Sequence, residues 1–323
     1  MIEIKRYTTE DKPIWDTFLD QSKNATFIFK RDYLDYHSDR FVDHSLLIFQ
    51  KGKLVSLFVA NEKNLEIIAH EGLTYGGLIM DKEIWQEDVL TIFYHLCNYY
   101  FQLGFKKCLY KAIPFYFSKS VAQEDLFPIS LIGGLLTRRD TSFVVELKRQ
   151  GPKISSRRMK EIREAEKNGI RVIQVDSPKE FWSDILVPNL IERFNSSPVH
   201  SMSEMNVLMQ KFPANVLQFL AVYDSESVAG VTIFQNENVA HAQYTSATHK
   251  GKELLALDFL FYKLITETFC DKEYFSFGTS NGPQGNKINQ GLTEWKQRFG
   301  ARVFVHDFYE FNFSNYTRLS EYK

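Results

Sequence analysis

Two short stretches of the sequence concentrate residues able to do chemistry. The first is His70-Glu71-Gly72-Leu73-Thr74-Tyr75-Gly76-Gly77, three glycines beside His, Glu, Thr and Tyr. His70 or Glu71 could serve there as a general base, and Tyr75 could orient or protonate a leaving group. The glycines would let a ligand approach the backbone. The same residues also suit a tight loop in which His70 caps a backbone group. His37 and His44 flank the aromatic run from Tyr33 to Phe41 and could line the same cleft, or serve as core histidines.

The second stretch is Ala247-Thr248-His249-Lys250-Gly251-Lys252, directly before a helical pattern starting at Glu253. Phosphates bind at such a place, where free N–H groups and the positive dipole end converge. Gly251 permits close backbone approach, and Lys250 and Lys252 add charge; a solvated lysine turn is the alternative. Thr279, Ser280, Asn281, Gln284 and Asn286 form a polar loop between a strand and a helix. Such loops suit a hydroxylated sugar or a phosphate. From Lys148 to Lys167, eight Lys/Arg stand against three Glu, a local charge of +5. Arg157, Arg158, Lys160 and Arg163 spread round this helix, while Ile154, Ile162 and Ala165 form its packed side. Its basic face could hold a polyphosphate, a tRNA backbone or a lipid-linked donor, or be solvated with Glu–Lys pairing.

The elements that must position these residues fall into two halves of the same order. In the first, a helix at 11–21 precedes strands at 45–50 and 54–60, joined by the hairpin signal Lys51-Gly52-Lys53. A third strand at 65–69 and the glycine-rich loop follow. A helix at 84–103 then stops at Gly104, and strands at 107–112 and 142–147 complete the half. In the second half, strands are expected at 216–223, 228–235 and 239–245, a helix at 253–269, and strands at 274–277 and 302–311. The hairpin at Gly52 precedes the one near Ser227 by nearly as many residues as the loop at His70 precedes that at Tyr244. This reads as a diverged duplication of a mixed α/β domain. Gly151-Pro152 marks the boundary, giving domains 1–150 and 151–323.

Composition narrows the function classes. A length of 323 residues suits about two domains. A net charge of -1 excludes a strongly basic nucleic-acid protein. An aromatic content of 15% argues against disorder. Cys97, Cys108 and Cys270 are too widely spaced for a disulfide framework or a zinc motif. The charged N-terminal residues do not form a signal peptide, and no apolar run is long enough for a membrane span, so the expected location is the cytoplasm. A Walker loop, a metal cluster and a Gly-x-Ser-x-Gly elbow are absent, so no metal is expected.

Two blocks carry a family resemblance. Arg157-Arg158-Met159-Lys160-Glu161-Ile162-Arg163-Glu164-Ala165-Glu166-Lys167-Asn168-Gly169-Ile170 has an Arg-rich helix, an Ala-x-Lys-x-Gly ending and then a strand. Phe275-Ser276-Phe277-Gly278-Thr279-Ser280 precedes Gly291-Leu292-Thr293-Glu294-Trp295-Lys296-Gln297-Arg298-Phe299-Gly300. Together they resemble the FemAB-like, tandem branch of the GNAT acyltransferase superfamily. The resemblance implies two tandem GNAT-like domains, each a mostly antiparallel mixed sheet flanked by helices, with the substrate between the halves. Donors in such proteins are acyl-CoA or, in the Fem ligases, aminoacyl-tRNA. Acceptors are amines, on amino sugars or peptidoglycan precursors in many relatives. It further implies a phosphate contact for Lys296. Gln243 and Tyr244 sit late in the strand that splays in a GNAT fold, so Tyr244, Thr245 and Ser246 could face the reacting carbonyl, or simply alternate in a half-buried strand. Only Gly251 matches the glycines of the GNAT donor loop, and Thr248 stands where Arg or Gln is usual.

The expected activity is therefore acyl transfer from acyl-CoA, acetyl-CoA for example, to an amine of a small or sugar-containing acceptor such as a cell-envelope or polysaccharide precursor. The amine would attack directly, without a covalent enzyme intermediate. His70, Glu71, Tyr75 and Tyr244 are the catalytic candidates. His249, Lys250, Gly251, Lys252 and Lys296 would hold the donor, and His37, Gln243, Thr279, Ser280 and Arg158 the acceptor. A Fem-like ligase using aminoacyl-tRNA ranks lower, since no coiled-coil insertion is visible and the charge is neutral. A non-catalytic binding relative is the third alternative. Apart from tRNA, no nucleic-acid partner is expected.

Overall fold

The computed structural model describes residues 2–282 and 285–323, so Gln284 of the polar loop lies outside the described residues. The chain forms two compact units, Met1–Asp140 with Val305–Lys323, and Thr141–Phe304.

In the first unit, Ile2–Arg6, Leu46–Gln50, Lys53–Val59 and Gly77–Met80 form an antiparallel sheet in that order. The hairpin between its middle strands turns at Lys51 and Gly52, both at positive φ, as a two-residue turn matched to strand twist requires. Asn61–Lys63 and Glu66–Ile68 make a second hairpin, and Glu66–Ile68 runs parallel to Lys107–Lys111. Residues 308–312 pair antiparallel with Lys107–Lys111. The helix Gln86–Gln102 buries Val89, Phe93, Leu96 and Tyr100 and ends before Gly104, at φ 86°. The helical turns Phe313–Tyr322 lie on this helix, with Phe313 against Tyr100 and Tyr316 against Tyr94. Phe311, Phe313 and Leu319 join the first core. That burial assigns residues 305–323 to the first unit, whereas a division at 150/151 leaves them with the second half.

In the second unit, Arg171–Val175, Val216–Tyr223, Glu226–Gln235 and Val239–Ala247 form the matching antiparallel series. Tyr274–Thr279 continues it in parallel, and residues 142–146 pair antiparallel with Tyr274–Thr279. Phe219, Val231, Phe261, Phe275, Phe277 and Phe299 fill its core. The basic helix, Ser156–Lys167, is capped by the Ser155 hydroxyl, which accepts from Arg158 N. It buries Ile162 and Ala165, as its pattern predicts.

Two elements differ from the sequence expectation. The third strand of the first series is Gly77–Met80, not the strand near 65–69, which belongs to the second hairpin. The glycine-rich loop therefore precedes the third strand, so it is not the counterpart of the region after Tyr244. The helix expected at 253–269 is broken into His249–Glu253, Ala256–Lys263 and a π-helical stretch, Leu264–Thr268. The break falls at Leu255, at φ 56°.

Candidate functional site

The strands Val239–Ala247 and Tyr274–Thr279 are paired only at Val239–His241 with Tyr274–Ser276. Just beyond, Thr232 faces Tyr244 and Ile233 faces Ala242, so Gln243 is the extra residue of a β-bulge. A bulge bends its strand and breaks the ladder locally. On the other side Gly278 takes φ 67°, and the pairing of its strand with residues 142–146 shifts register there. The two strands part, and a cavity of about 490 Å³ opens between them. Gln243, Thr245, Ser246, Phe277 and Thr279 line it from the strands. Gly251, Lys252, Asp258 and Phe261 line it from the following helices, Leu292, Trp295 and Lys296 from the helix Gln290–Gln297, and Asn189 and Arg193 from Val187–Phe194.

Lys296 is the chemically distinctive residue of this wall. It is 3% exposed, and its Nζ donates to the Gly278 carbonyl at 3.0 Å and the Thr279 carbonyl at 2.6 Å. Among the described residues no carboxylate pairs with it. Burial pushes its ammonium down to about 7. Nearby, His241 Nδ1 meets Ser276 Oγ at 3.0 Å, and burial followed by the Lys296 charge pushes its imidazole down to about 4.

A second arrangement braces the wall. Trp295 Nε1 donates to Asp258 Oδ1 at 3.0 Å, and Arg158 forms an ion pair with the same oxygen. Arg158 also pairs with Glu161, and its guanidinium lies 4.9 Å from the Phe299 ring centroid. Asn189 Nδ2 donates to Ser246 Oγ at 2.9 Å, and Lys252 Nζ donates to Asn189 Oδ1 at 3.2 Å.

Of the residues singled out in the sequence, Gln243, Gly251, Lys252, Thr279 and Lys296 share this cavity. The helix start is already capped, since Thr248 Oγ1 accepts from Gly251 N at 3.0 Å. The close approach that Gly251 allows is to the Val228 carbonyl, against which any Cβ would stand. His249 pairs with Glu192, and Lys250 with Glu226, both on exposed side chains away from the cavity wall. Arg158 is a buried ion-pair partner of Asp258, not itself a lining residue. Ser280 is buried, and its carbonyl accepts from Asn289 N. The Tyr244 hydroxyl meets His200 Nδ1 at 2.6 Å and its ring packs on Trp182; burial pushes its phenol up to about 12. It is not among the residues that line the cavity.

The remaining candidates belong to the first unit. His70 is buried with its ring stacked on His37, 5.2 Å between centroids, and burial pushes it down to about 3. Glu71 is held by a surface ion pair with Lys63 at 2.9 Å. Tyr75 is buried between Phe29 and Phe117, its hydroxyl 3.2 Å from Thr26 Oγ1, and burial raises its phenol. Lys111 pins the loop, its Nζ donating to the carbonyls of His70, Glu71 and Leu73 at 2.8, 3.3 and 2.8 Å. The geometry of His70–Gly77 is thus that of a packed, tethered loop. The three side chains sit in different settings: His70 stacked on His37, Glu71 paired with Lys63 at the surface, and Tyr75 packed among aromatic rings.

The first unit also has a position equivalent to the parted strands, between Gly77–Met80 and Lys107–Lys111. Tyr110 fills it: its hydroxyl accepts from Leu78 N at 2.9 Å and donates to Asp125. Gly77 leaves room for that ring, since a Cβ there would come within 2.5 Å of Tyr110 Cζ. Residues that the sequence reading missed, Asp258, His241 and Asn189, carry no local motif. Only the fold brings them to the parted strands. Among the described residues, no cluster of His, Cys, Asp and Glu is placed to hold a metal ion, and no helix is long and apolar enough to cross a membrane.

No family model matches the sequence, and no curated protein matches it. Solved structures do. The chain is similar to FemX at TM-score 0.65 and 10% identity, over 94% of this chain and 96% of that one. It is similar to L-PGS from Bacillus licheniformis at TM-score 0.60 and 13% identity, over 98% of each chain. It is also similar to a tandem GNAT protein from the clavulanic acid biosynthesis pathway, in its form without AcCoA. There the TM-score is 0.56 at 11% identity, over 97% of this chain and 99% of that one. With the repeated strand series, the parted strands and these neighbours, the fold is the FemX-like tandem GNAT fold.

Proposed function

We propose that the protein transfers an acyl group to an amine, with the donor's reactive end in the cavity of the second unit and Lys296 as proton acceptor. The observation that carries this reading is the amine of Lys296, buried without a carboxylate at the place where the strands part. A strand whose ladder has ended offers backbone groups to polarise the donor carbonyl. The acceptor amine attacks that carbonyl, its proton passes to Lys296 Nζ, and the leaving group departs. A base poised near neutral pH suits this step. The first reading of the donor is acyl-CoA, such as acetyl-CoA, and of the acceptor a small or sugar-containing amine of a cell-envelope or polysaccharide precursor.

A second donor reading is aminoacyl-tRNA, and the Thr248 cap favours it. The cap occupies the Gly251 amide that a diphosphate at the helix start would take. The similarity to FemX supports the same alternative, because the sequence resemblance also points to the Fem branch. Thermal unfolding with millimolar acetyl-CoA separates the two. A ligand at 100 times its Kd stabilises by about 2.7 kcal/mol. No shift with acetyl-CoA, together with salt-sensitive binding of charged tRNA, selects the ligase reading. If neither binds and Lys296→Met leaves every measured transfer rate unchanged, the acyltransfer reading is lost.

A further inference from the structure

Among the described residues, two lysines are buried against backbone carbonyls, and their hydrogen bonding differs by one acceptor. Lys111 donates to three carbonyls, the full set for an ammonium. Lys296 donates to two, Gly278 and Thr279, the full set for a neutral amine. A neutral amine held that way keeps its lone pair, and this one lies in a cavity wall with Thr279, Phe277 and Trp295. Among the described residues, an ammonium there would find no third carbonyl acceptor of the kind that Lys111 has. Burial works in the same direction, pushing Lys296 down to about 7.

We propose that Lys296 is itself a site of acylation, modified by acyl thioesters that enter this cavity. The inference rests on the acyl-donor reading of the cavity. The Nζ lone pair attacks the thioester carbonyl carbon and an N–C bond forms. The C–S bond breaks, and the thiol leaves carrying the proton lost by the amine. The product is a stable amide, so this is a dead-end modification and not a step of transfer to the acceptor. The amide keeps one N–H, so one of the two carbonyls loses its donor, and the acyl group occupies the cavity. Acylation at Lys296 would therefore shut the site whenever donor accumulates without acceptor.

The test exposes the whole protein to S-acetyl-N-acetylcysteamine, a small thioester without a nucleotide, and separately to acetyl-CoA. Peptide mass spectrometry then follows Lys296, exposed Lys250 and buried Lys111. Lys296 should be acetylated at least about tenfold faster than Lys250 at pH 7, given the gap between their neutral fractions. Its rate should level off above pH 8 while that of Lys250 still climbs, and Lys111 should stay unmodified. Labelling of Lys296 no faster than Lys250 with either thioester overturns the inference. Thermal stabilisation by acetyl-CoA with Lys296 unmodified overturns it too, while leaving the transfer reading standing. Labelling by the small thioester alone supports the inference and removes acyl-CoA as the donor. Lys296→Gln, which keeps an amide N–H₂ as donor and has no nucleophilic amine, should lose the fast adduct and no other.

Discussion

At Gly251 the requirement for glycine comes from the sheet, not from a ligand. A methyl group there would press on the Val228 carbonyl oxygen, which the Thr248 amide already uses. Gly251→Ala should cost about 1–3 kcal/mol in urea unfolding, the usual range for overpacking. An unchanged midpoint would show that the strand carrying Val228 yields easily. Asp125 sets a second residue-scale prediction. Burial pushes its carboxyl up to about 6, against the lowering effect of the Tyr110 hydrogen bond. The folded state thus holds a proton that the unfolded state releases near 3.8. The stability this group contributes is present below pH 4 and is lost as pH rises through about 6. Asp125→Asn should remove that part of the pH dependence, seen as a flatter midpoint-versus-pH curve than wild type between pH 4 and 7. Lys296 was legible in the sequence because it sits in a short block with Trp295 and Phe299. Tyr75 and His70 were not, since a ring packed in a core and a ring facing a cleft have the same neighbours in sequence. Burial tells them apart, and burial is set by distant residues such as Phe29 and Phe117.

Strands and helices tell a similar story one level up. The hairpins at Lys51-Gly52 and at Asp224-Ser225 could be read directly, because turns that need positive φ select their residues. The bulge at Gln243 could not, since no residue type demands it and it arises from the pairing of whole strands. The third strand of the first unit was misplaced because the second hairpin, Asn61–Lys63 with Glu66–Ile68, has the same alternation as a sheet strand. The break itself, Leu254-Leu255-Ala256, has no glycine or proline, so its kink is a product of packing. In the first unit, Tyr110 takes the place that the second unit leaves open. Tyr110→Phe removes a buried hydroxyl that serves Leu78 N and Asp125, at a cost of about 1–3 kcal/mol. Tyr110→Ala should cost about 3–5 kcal/mol, as for other large aromatic truncations. Both are read by chemical denaturation, and neither should alter ligand affinity in the second unit. A matching loss of affinity would contradict the assignment of the donor cavity to Thr141–Phe304.

For the whole molecule, the repeated series was visible in the spacing of the two hairpins, while the matching of the His70 and Tyr244 loops misled and the membership of the last residues was not visible. The pattern at 302–311 predicts a strand without saying which core it serves. Leu319 settles it, fully buried in the first core. Leu319→Ala should cost about 2–5 kcal/mol. Hydrogen exchange should show faster opening of Gln86–Gln102 with Ala256–Lys263 unchanged. Equal acceleration in both helices would mean that the units unfold as one. The same discontinuity orders the birth of the protein. On the ribosome, every residue of the second core emerges before Phe311, Phe313 and Leu319 do. The domain begun first is finished last. Until synthesis reaches those residues, the aromatic face of Gln86–Gln102 is exposed, and it is the surface a chaperone would have to cover.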